Sequence, residues 1–450
     1  MLLPTLRNEL PMRNFSRSIL WSLIALHFST LASAQDDWSR WRGPSGNGIA
    51  VADQQPPTSW SADQNVVWKV PVPGRGHSSP IVVGDKIFLA TADEEQQTQS
   101  VVCFERQTGQ QQWQTELNQG GFDRKIHSKN THASGTIATD GTQVYCVFSH
   151  HGSVNVTALS LTGEIQWQKK VGPYQSQYPF GFGASPIVHE GMVIVPNQND
   201  AESCIIAFDA TNGEQKWRTD ADKQSSYSTP VVAETGGKSQ LLLSGANIVA
   251  AYDPANGKQL WKTPTKWQVS CGTLVWNKDR VFASGGYPAS QTLAVNADGS
   301  GSLVWENTQK AYEQSMLIHE GFLYAHCDNG AVYCWRESDG QEMWKQRFSA
   351  AGNPAQSASP VLANGNIYFT AENGETLVIK ASSDKLTEIS RNNLGNEAFA
   401  SMAVCGNQIF SRIAINDPDN DTRQEWLFCL GETATERNEK NSLGRNSPKN

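Results

Sequence analysis

What this chain lacks narrows its chemistry before anything else does. None of its eight cysteines is adjacent to another and no Cys-x-x-Cys occurs, which excludes a vicinal disulfide, a thioredoxin-like redox pair and a zinc ribbon. Gly-x-x-x-x-Gly-Lys-Ser/Thr, Gly-x-Ser-x-Gly and His-Glu-x-x-His are all missing. With them go the P-loop nucleotidases, the α/β-hydrolase nucleophile and the HExxH zinc proteases. Charge is thin and slightly acidic, 36 basic against 44 acidic residues, and no Lys/Arg run follows the extreme N-terminus. A polyanion would find no basic patch, so nucleic acid is not expected as a partner. Apolar residues at helical spacing are nearly absent, and the longest apolar run, Ser18 to Phe28, is too short to span a bilayer.

That run has a different reading. Arg7, Arg13 and Arg17 precede it and Ala32-Ser33-Ala34 follows, the order of a secretory signal with its small-residue cleavage site. Cleavage is expected near Ala34/Gln35, from a start at Met1 or Met12, giving a soluble periplasmic or secreted protein. No Cys follows the cleavage site, so a lipid anchor is not expected there. The expected organisation is a signal over 1–34, a lead-in over 35–64, the folded body over 65–431, and a polar, disordered tail over 432–450.

What the chain has in quantity is Gly (37), Pro (20) and Trp (15). They recur in one frame: Ser-Pro-apolar-Val, a second apolar strand ending in Phe or Tyr, then Asp-x-x-x-Gly or Thr-Gly with Trp four residues after the Gly. Gly109/Trp113, Gly163/Trp167, Gly213/Trp217, Gly257/Trp261, Gly301/Trp305 and Gly340/Trp344 keep this spacing; in a seventh copy Ile389 replaces the Trp. Each repeat reads as four short strands joined by hairpins, with Gly where the turn needs a positive φ. One such sheet cannot bury both faces, so the repeats must stack, and radial stacking gives an all-β, eight-bladed β-propeller of four-stranded antiparallel blades. The eighth repeat has no outer strand of its own. Asn65-Val66-Val67-Trp68-Lys69-Val70 supplies one from the other end and should close the ring; seven blades and a stray strand is the alternative. Cys103, Cys334 and Cys429 stand where other repeats carry Ala158, Ala207, Ala251 and Ala294, as small buried apolar groups would. Free thiols are expected, with Cys327 and Cys334 the one pair placed to bridge.

There is no Trp-Asp dipeptide, which argues against WD40. The Gly-x-x-x-Trp frame over roughly 66–431 instead resembles the pyrroloquinoline-quinone (PQQ)-like repeat family, whose members include quinoprotein alcohol dehydrogenases and the outer-membrane β-barrel assembly lipoprotein. Asp37-Trp38-Ser39-Arg40-Trp41-Arg42-Gly43-Pro44 resembles the entry segment of secreted planctomycete members. The resemblance implies two functions. As a scaffold, the chain would hold a protein or small ligand, with no cofactor, as a monomer. As an enzyme, it would oxidise alcohols with PQQ and Ca²⁺. The enzymes hold PQQ between a Trp and a ring formed by two adjacent disulfide-bonded Cys, beside Ca²⁺ on Glu, Asn and Asp and a catalytic Asp. This sequence has no Cys-Cys, and apart from Trp267 and Trp276 its repeat Trp residues fall on outer strands. The scaffold is the expected function.

The candidate ligand-binding residues lie before each inner strand, where every blade reaches one mouth of the channel: His77, His132, Phe182, Tyr227, Gln268, Glu313, Gln314, Gln356 and Glu397. His127, His132, His150 and His151 cluster in sequence but without metal-ligand spacing, so polar loops are expected. Asp417-Pro418-Asp419-Asn420-Asp421 begins like a Ca²⁺ loop, yet Thr422 and Phe428 stand where that loop needs Gly and Glu, which makes it a hairpin tip.

Overall fold

Strands separated by tight Gly- and Asn-bearing turns pair with their neighbours in sequence, because so short a turn leaves no other partner in reach. The computed structural model describes residues 37–122, 126–348 and 355–432. Its strands form eight four-stranded antiparallel blades in a ring, with no helix among the described residues. Blade 1 consists of Ile81–Val83, Lys86–Asp93, Thr98–Glu105 and Gln111–Gln119, from channel to rim. The inner strands of blades 2 to 8 are Ala138–Thr139, Ile187–His189, Val231–Thr235, Val275–Trp276, Leu317–His319, Val361–Ala363 and Ala403–Cys405. Trp267–Val269 and Tyr287–Pro288 pair as a small extra sheet beside blade 5.

The ring closes as the sequence anticipates. Val66–Val72 is the fourth strand of blade 8, antiparallel to Thr422–Leu430, with Lys69 opposite Phe428 and Val70 opposite Leu427. The seam between the last blade and the first also carries charge. Arg412 and Glu425, each 2% exposed, pair at 2.5 Å. Arg412 Nη1 crosses to Ala90 O of blade 1 (2.7 Å), and Glu425 Oε1 accepts the Gly76 N–H (3.1 Å). Arg423 extends the network to Glu397 at 2.6 Å. Two cations and two anions leave it neutral, and each buried charge is answered, which burial requires.

The repeating Gly serves two ends. Its φ lies between 60° and 90° in all six copies, as the turn demands. It also makes room for a neighbour. The Trp of each blade covers the Gly of the next, not its own: Trp68 lies on Gly109, Trp113 on Gly163, Trp167 on Gly213, Trp217 on Gly257, Trp261 on Gly301 and Trp305 on Gly340. A Cβ at these glycines would sit 2.5–2.8 Å from the indole ring. Most of the indole N–H groups donate to a carbonyl of that next blade, as Trp167 Nε1 does to Ala210 O (2.9 Å) and Trp217 Nε1 to Pro254 O (3.1 Å). Ile389 stands 45% exposed in the seventh blade.

The cysteines take the expected place. Cys103, Cys334 and Cys429 face Phe88, Tyr324 and Phe410 in the same register in which Ala158 faces Tyr145 and Ala207 faces Ile194. None of the eight cysteines is in a disulfide, Cys327 and Cys334 included. Residues 1–34, and all of the 432–450 tail but Glu432, lie outside the described residues.

Candidate ligand-binding cup on the channel axis

The first residue of each Ser-Pro-like opening is a hydroxyl with a structural task. The eight, Ser79, Thr136, Ser185, Thr229, Thr273, Ser315, Ser359 and Ser401, stand one per blade around the channel. In seven of the eight steps the backbone N–H of one donates to the next one's hydroxyl at 2.8–3.0 Å, ending with Ser401 N to Ser79 Oγ across the seam. The eighth step, between blades 4 and 5, is different. Thr273 Oγ1 donates to Thr229 O (3.2 Å) and accepts the indole N–H of Trp41 (2.9 Å). The hydroxyls fix eight backbones at one spacing about the axis.

Two residues before each hydroxyl comes a position that lines a cavity of about 200 Å³: His77, Ser134, Gly183, Tyr227, Cys271, Glu313, Ser357 and Phe399, all eight. His127, Lys129, Asn130, Phe180 and Tyr312 add to its wall from the loops above. The loops interlock: His127 N and Asn130 Nδ2 donate to Pro179 O and Phe180 O, and Phe180 meets the Tyr227 ring edge-on at 5.8 Å.

The lead-in makes the floor. Segment 38–50 runs along the end of the channel toward which the inner strands point, touching positions one to three residues past the hydroxyls. Trp38 exchanges backbone bonds with Val82 (2.9 and 3.0 Å), Ser39 O accepts from Thr139 N (3.1 Å), and Arg42 donates to Met316 O (2.6 Å). Gly48 O and Ala50 N bracket Leu362 at 2.9 and 2.8 Å. Trp41 also lines the cavity, so the channel is a cup closed below rather than a pore. Arg42, 3% exposed, has no carboxylate beside it, and burial alone pulls its guanidinium down to about 9.

Charge in the cup is uneven. Lys129, from the blade 2 loop, spans the mouth to Glu372 of blade 7 (2.8 Å) and Glu313 of blade 6 (3.7 Å). Ser357 Oγ lies 2.7 Å from Glu313 Oε2 and 2.6 Å from Glu372 Oε1. Burial, then Arg75, Arg412 and Arg423, hold His77 well below the usual imidazole range, so its ring is neutral where it stacks on Phe399 (4.2 Å). Burial raises Tyr227 to about 12 and pushes Cys271 higher still, with Glu313 and Asp328 adding to the rise at Cys271. Neither group ionises near neutrality.

Of the residues singled out from sequence, the cup brings together His77, Tyr227 and Glu313. His132 and Phe182 border a small side cavity between blades 2 and 3, with His132 stacked on Phe122 at 4.1 Å. Gln314 and Gln356 are buried and donate to His326 O and Thr370 O. Gln268 is exposed on the extra sheet, and Glu397 belongs to the seam network and borders a shallow hollow with Arg75 and Glu372. Trp267 is fully buried in the core. His150 packs on His151, and no group of three His, Cys, Asp or Glu among the described residues is placed to hold a metal. Asp417 caps its own hairpin tip, accepting from Asp419 N and Asn420 N. Sequence reasoning missed Trp41, Lys129, Cys271, Ser357 and Phe399. Counting two back from each Ser/Thr opening would have found the last three.

Comparison with known proteins adds to this geometry. The chain matches the family model described as outer membrane protein assembly factor BamB over residues 16–178 and 97–346. A BamB from Yersinia pestis is 23% identical over 310 residues, 68% of this chain and 64% of the relative, so the chain spans just under two thirds of that protein's length. Among solved structures, BamB from Moraxella catarrhalis superposes with a TM-score of 0.57 at 14% identity, covering 80% of this chain and 96% of that one. Quinohemoprotein alcohol dehydrogenase from Comamonas testosteroni gives 0.65 at 11% identity, covering 89% and 81%. At such identities the two structures share the fold with this chain.

Proposed function

Since the chain belongs to the PQQ-like repeat family of outer membrane protein assembly factor BamB, we propose that it is an exported, non-enzymatic scaffold that holds a protein or small ligand at its cup. The observation that carries this reading is the cup itself: eight equivalent positions, one from each blade of a hydroxyl-locked ring, facing one floored cavity. A rigid concave site with mixed aromatic and hydrogen-bonding walls is what recognition needs, and it costs little ordering on binding. Arg7, Arg13 and Arg17 ahead of the apolar run, and Ala32-Ser33-Ala34 after it, support export with cleavage near Gln35. No helix among the described residues is long and apolar enough to cross a membrane.

The donors present argue against the dehydrogenase alternative. PQQ is a polyanion, and among the described residues the cup offers it one cation, Lys129, already shared between two carboxylates. The cup's one thiol, Cys271, has no adjacent partner, and its one tryptophan, Trp41, has its N–H committed to Thr273.

The test is capture from a native extract by mature protein immobilised through its C-terminus, with the wild type set against Tyr227→Ala/Phe399→Ala and against Ile165→Ser on an outer strand. Loss of the same captured species in the cup variant but not in the outer-strand variant is the expected result. Equal capture by all three would discard the cup as the site. Tight binding of PQQ with Ca²⁺, with dye reduction by alcohols, would overturn the scaffold reading altogether.

A further inference from the structure

Resting on the cup as a ligand site, we propose that the group it takes is a single organic ammonium on a short apolar stem. The charges at the mouth do not balance. Among the described residues that line the cup, one cation, Lys129, faces Glu313 and Glu372, and it stands nearer Glu372 (2.8 Å) than Glu313 (3.7 Å). The Ser357 hydroxyl is within bonding distance of both carboxylates but has one hydrogen to give. Whichever carboxylate takes it, Glu313 is left, among the described residues, with the longer ion pair and at most that one hydrogen bond. A second cation entering the cup would find it.

The walls suit such a cation. Trp41, Phe180, Tyr227, Tyr312 and Phe399 surround the cavity, and the face of an aromatic ring attracts a partly desolvated ammonium. Lys310 Nζ already stands 5.1 Å from the Tyr312 ring centroid, itself held by Asp328 at 3.3 Å. An anion would meet the reverse of every term: two carboxylates, π faces, and a lysine already engaged. At about 200 Å³ the space admits a head group rather than a drug-sized molecule, whose pockets run to roughly 300–1,000 Å³. A free amine and a lysine side chain of a partner protein carry the same chemistry.

Calorimetric titration of the mature protein separates these cases. The probes are choline, its neutral isostere 3,3-dimethylbutanol, the anion 3,3-dimethylbutyrate, and the Nα-acetyl methylamides of lysine and norleucine. Each ammonium should bind about tenfold or more tighter than its neutral counterpart. Glu313→Gln should cut that preference severalfold, the aromatic faces and Glu372 keeping the remainder, with a much smaller change for the neutral probes. Lys129→Met should strengthen ammonium binding several-fold by freeing Glu313, an outcome that general unfolding cannot imitate. Choline ahead of the lysine amide would point to a free amine, and the reverse to a protein side chain. Equal binding of charged and neutral probes, tightest binding of the anion, or no binding at all would overturn the proposal. Neutral binding without charge preference, lost in Tyr227→Ala, would still leave the cup a ligand site.

Discussion

Consider the joint between blades 3 and 4, where Trp217 lies on Gly257. Trp217 is 8% exposed, and its N–H reaches Pro254 O at 3.1 Å. Truncating it to alanine should cost about 3–5 kcal/mol, roughly 1 of it from the hydrogen bond. Gly257→Ala acts from the other side. Its φ of 73° costs an L-residue about 1–2 kcal/mol, and the new methyl would sit 2.5 Å from a Trp217 carbon and from Thr219 Oγ1. Overpacking of that kind costs a further ~1–3 kcal/mol. Only this second contribution depends on the indole, and Thr219 keeps a share of it in the double variant. Trp217→Ala/Gly257→Ala should therefore be less destabilised than the sum of the singles by about 1–2 kcal/mol, while Gly257→Ala still costs its backbone strain in the Trp217→Ala background. The cycle is read by equilibrium denaturant unfolding followed by far-UV circular dichroism, since removing a tryptophan alters the fluorescence signal. Additivity within about 0.5 kcal/mol would refute the claim that the indole dictates the glycine.

Three further outcomes follow from the same structure. Deleting Asn65 to Val70 opens the ring and exposes the edge of Thr422–Leu430, so thermal melting should fall steeply and aggregation rise; melting at the intact protein's temperature would contradict closure by this strand. His326, 1% exposed and stacked on Phe348 at 4.8 Å, has its imidazole pushed by burial to about 4, against about 6.5 when unfolded. Between those values the unfolded chain holds a proton the native one refuses, so stability is full above pH ~6.5 and declines by on the order of 3 kcal/mol as pH falls to ~4. His326→Leu should flatten that part of the pH–stability curve, and an unchanged slope would count against it. Ser359→Ala strips the Ser315 N–H of its acceptor and should cost about 1–3 kcal/mol, with faster amide exchange at residue 315 as the local sign.

The blades were legible because their signals are local. A glycine at positive φ, a tryptophan four residues on and a small residue facing a large one each leave a mark within a dozen positions. The closing strand was legible by subtraction, because the eighth repeat lacked what the N-terminus had spare. The cup was only partly legible. Loops before the inner strands differ in length, so residues chosen by nearness to a strand fell one to five positions before the hydroxyl, and those at two (His77, Tyr227, Glu313) reached the cavity. Gln268 instead joined a strand that no repeat foreshadows. Lys129 and Trp41 carry no periodic mark, since what places them is a span of 243 residues to Glu372 and one of 232 to Thr273. The doubled role of the repeat glycine was hidden for the same reason: its tryptophan partner lies in another repeat.

The closing strand also sets an order of events. Val66–Val72 is made before every other strand of the ring, but its partner, Thr422–Leu430, is made after all of them; Val72 and Gln424, joined by a hydrogen bond, are 352 residues apart. The early strand must wait, unpaired, through the synthesis of seven blades, and so must the floor segment, whose contacts reach from Val82 to Leu362. A chain that stalls before residue 422 has no way to complete its last blade, however well the first seven have formed. Closure of the ring thus waits on Thr422–Leu430, and the nascent chain carries Val66–Val72 without its sheet partner until that strand is made.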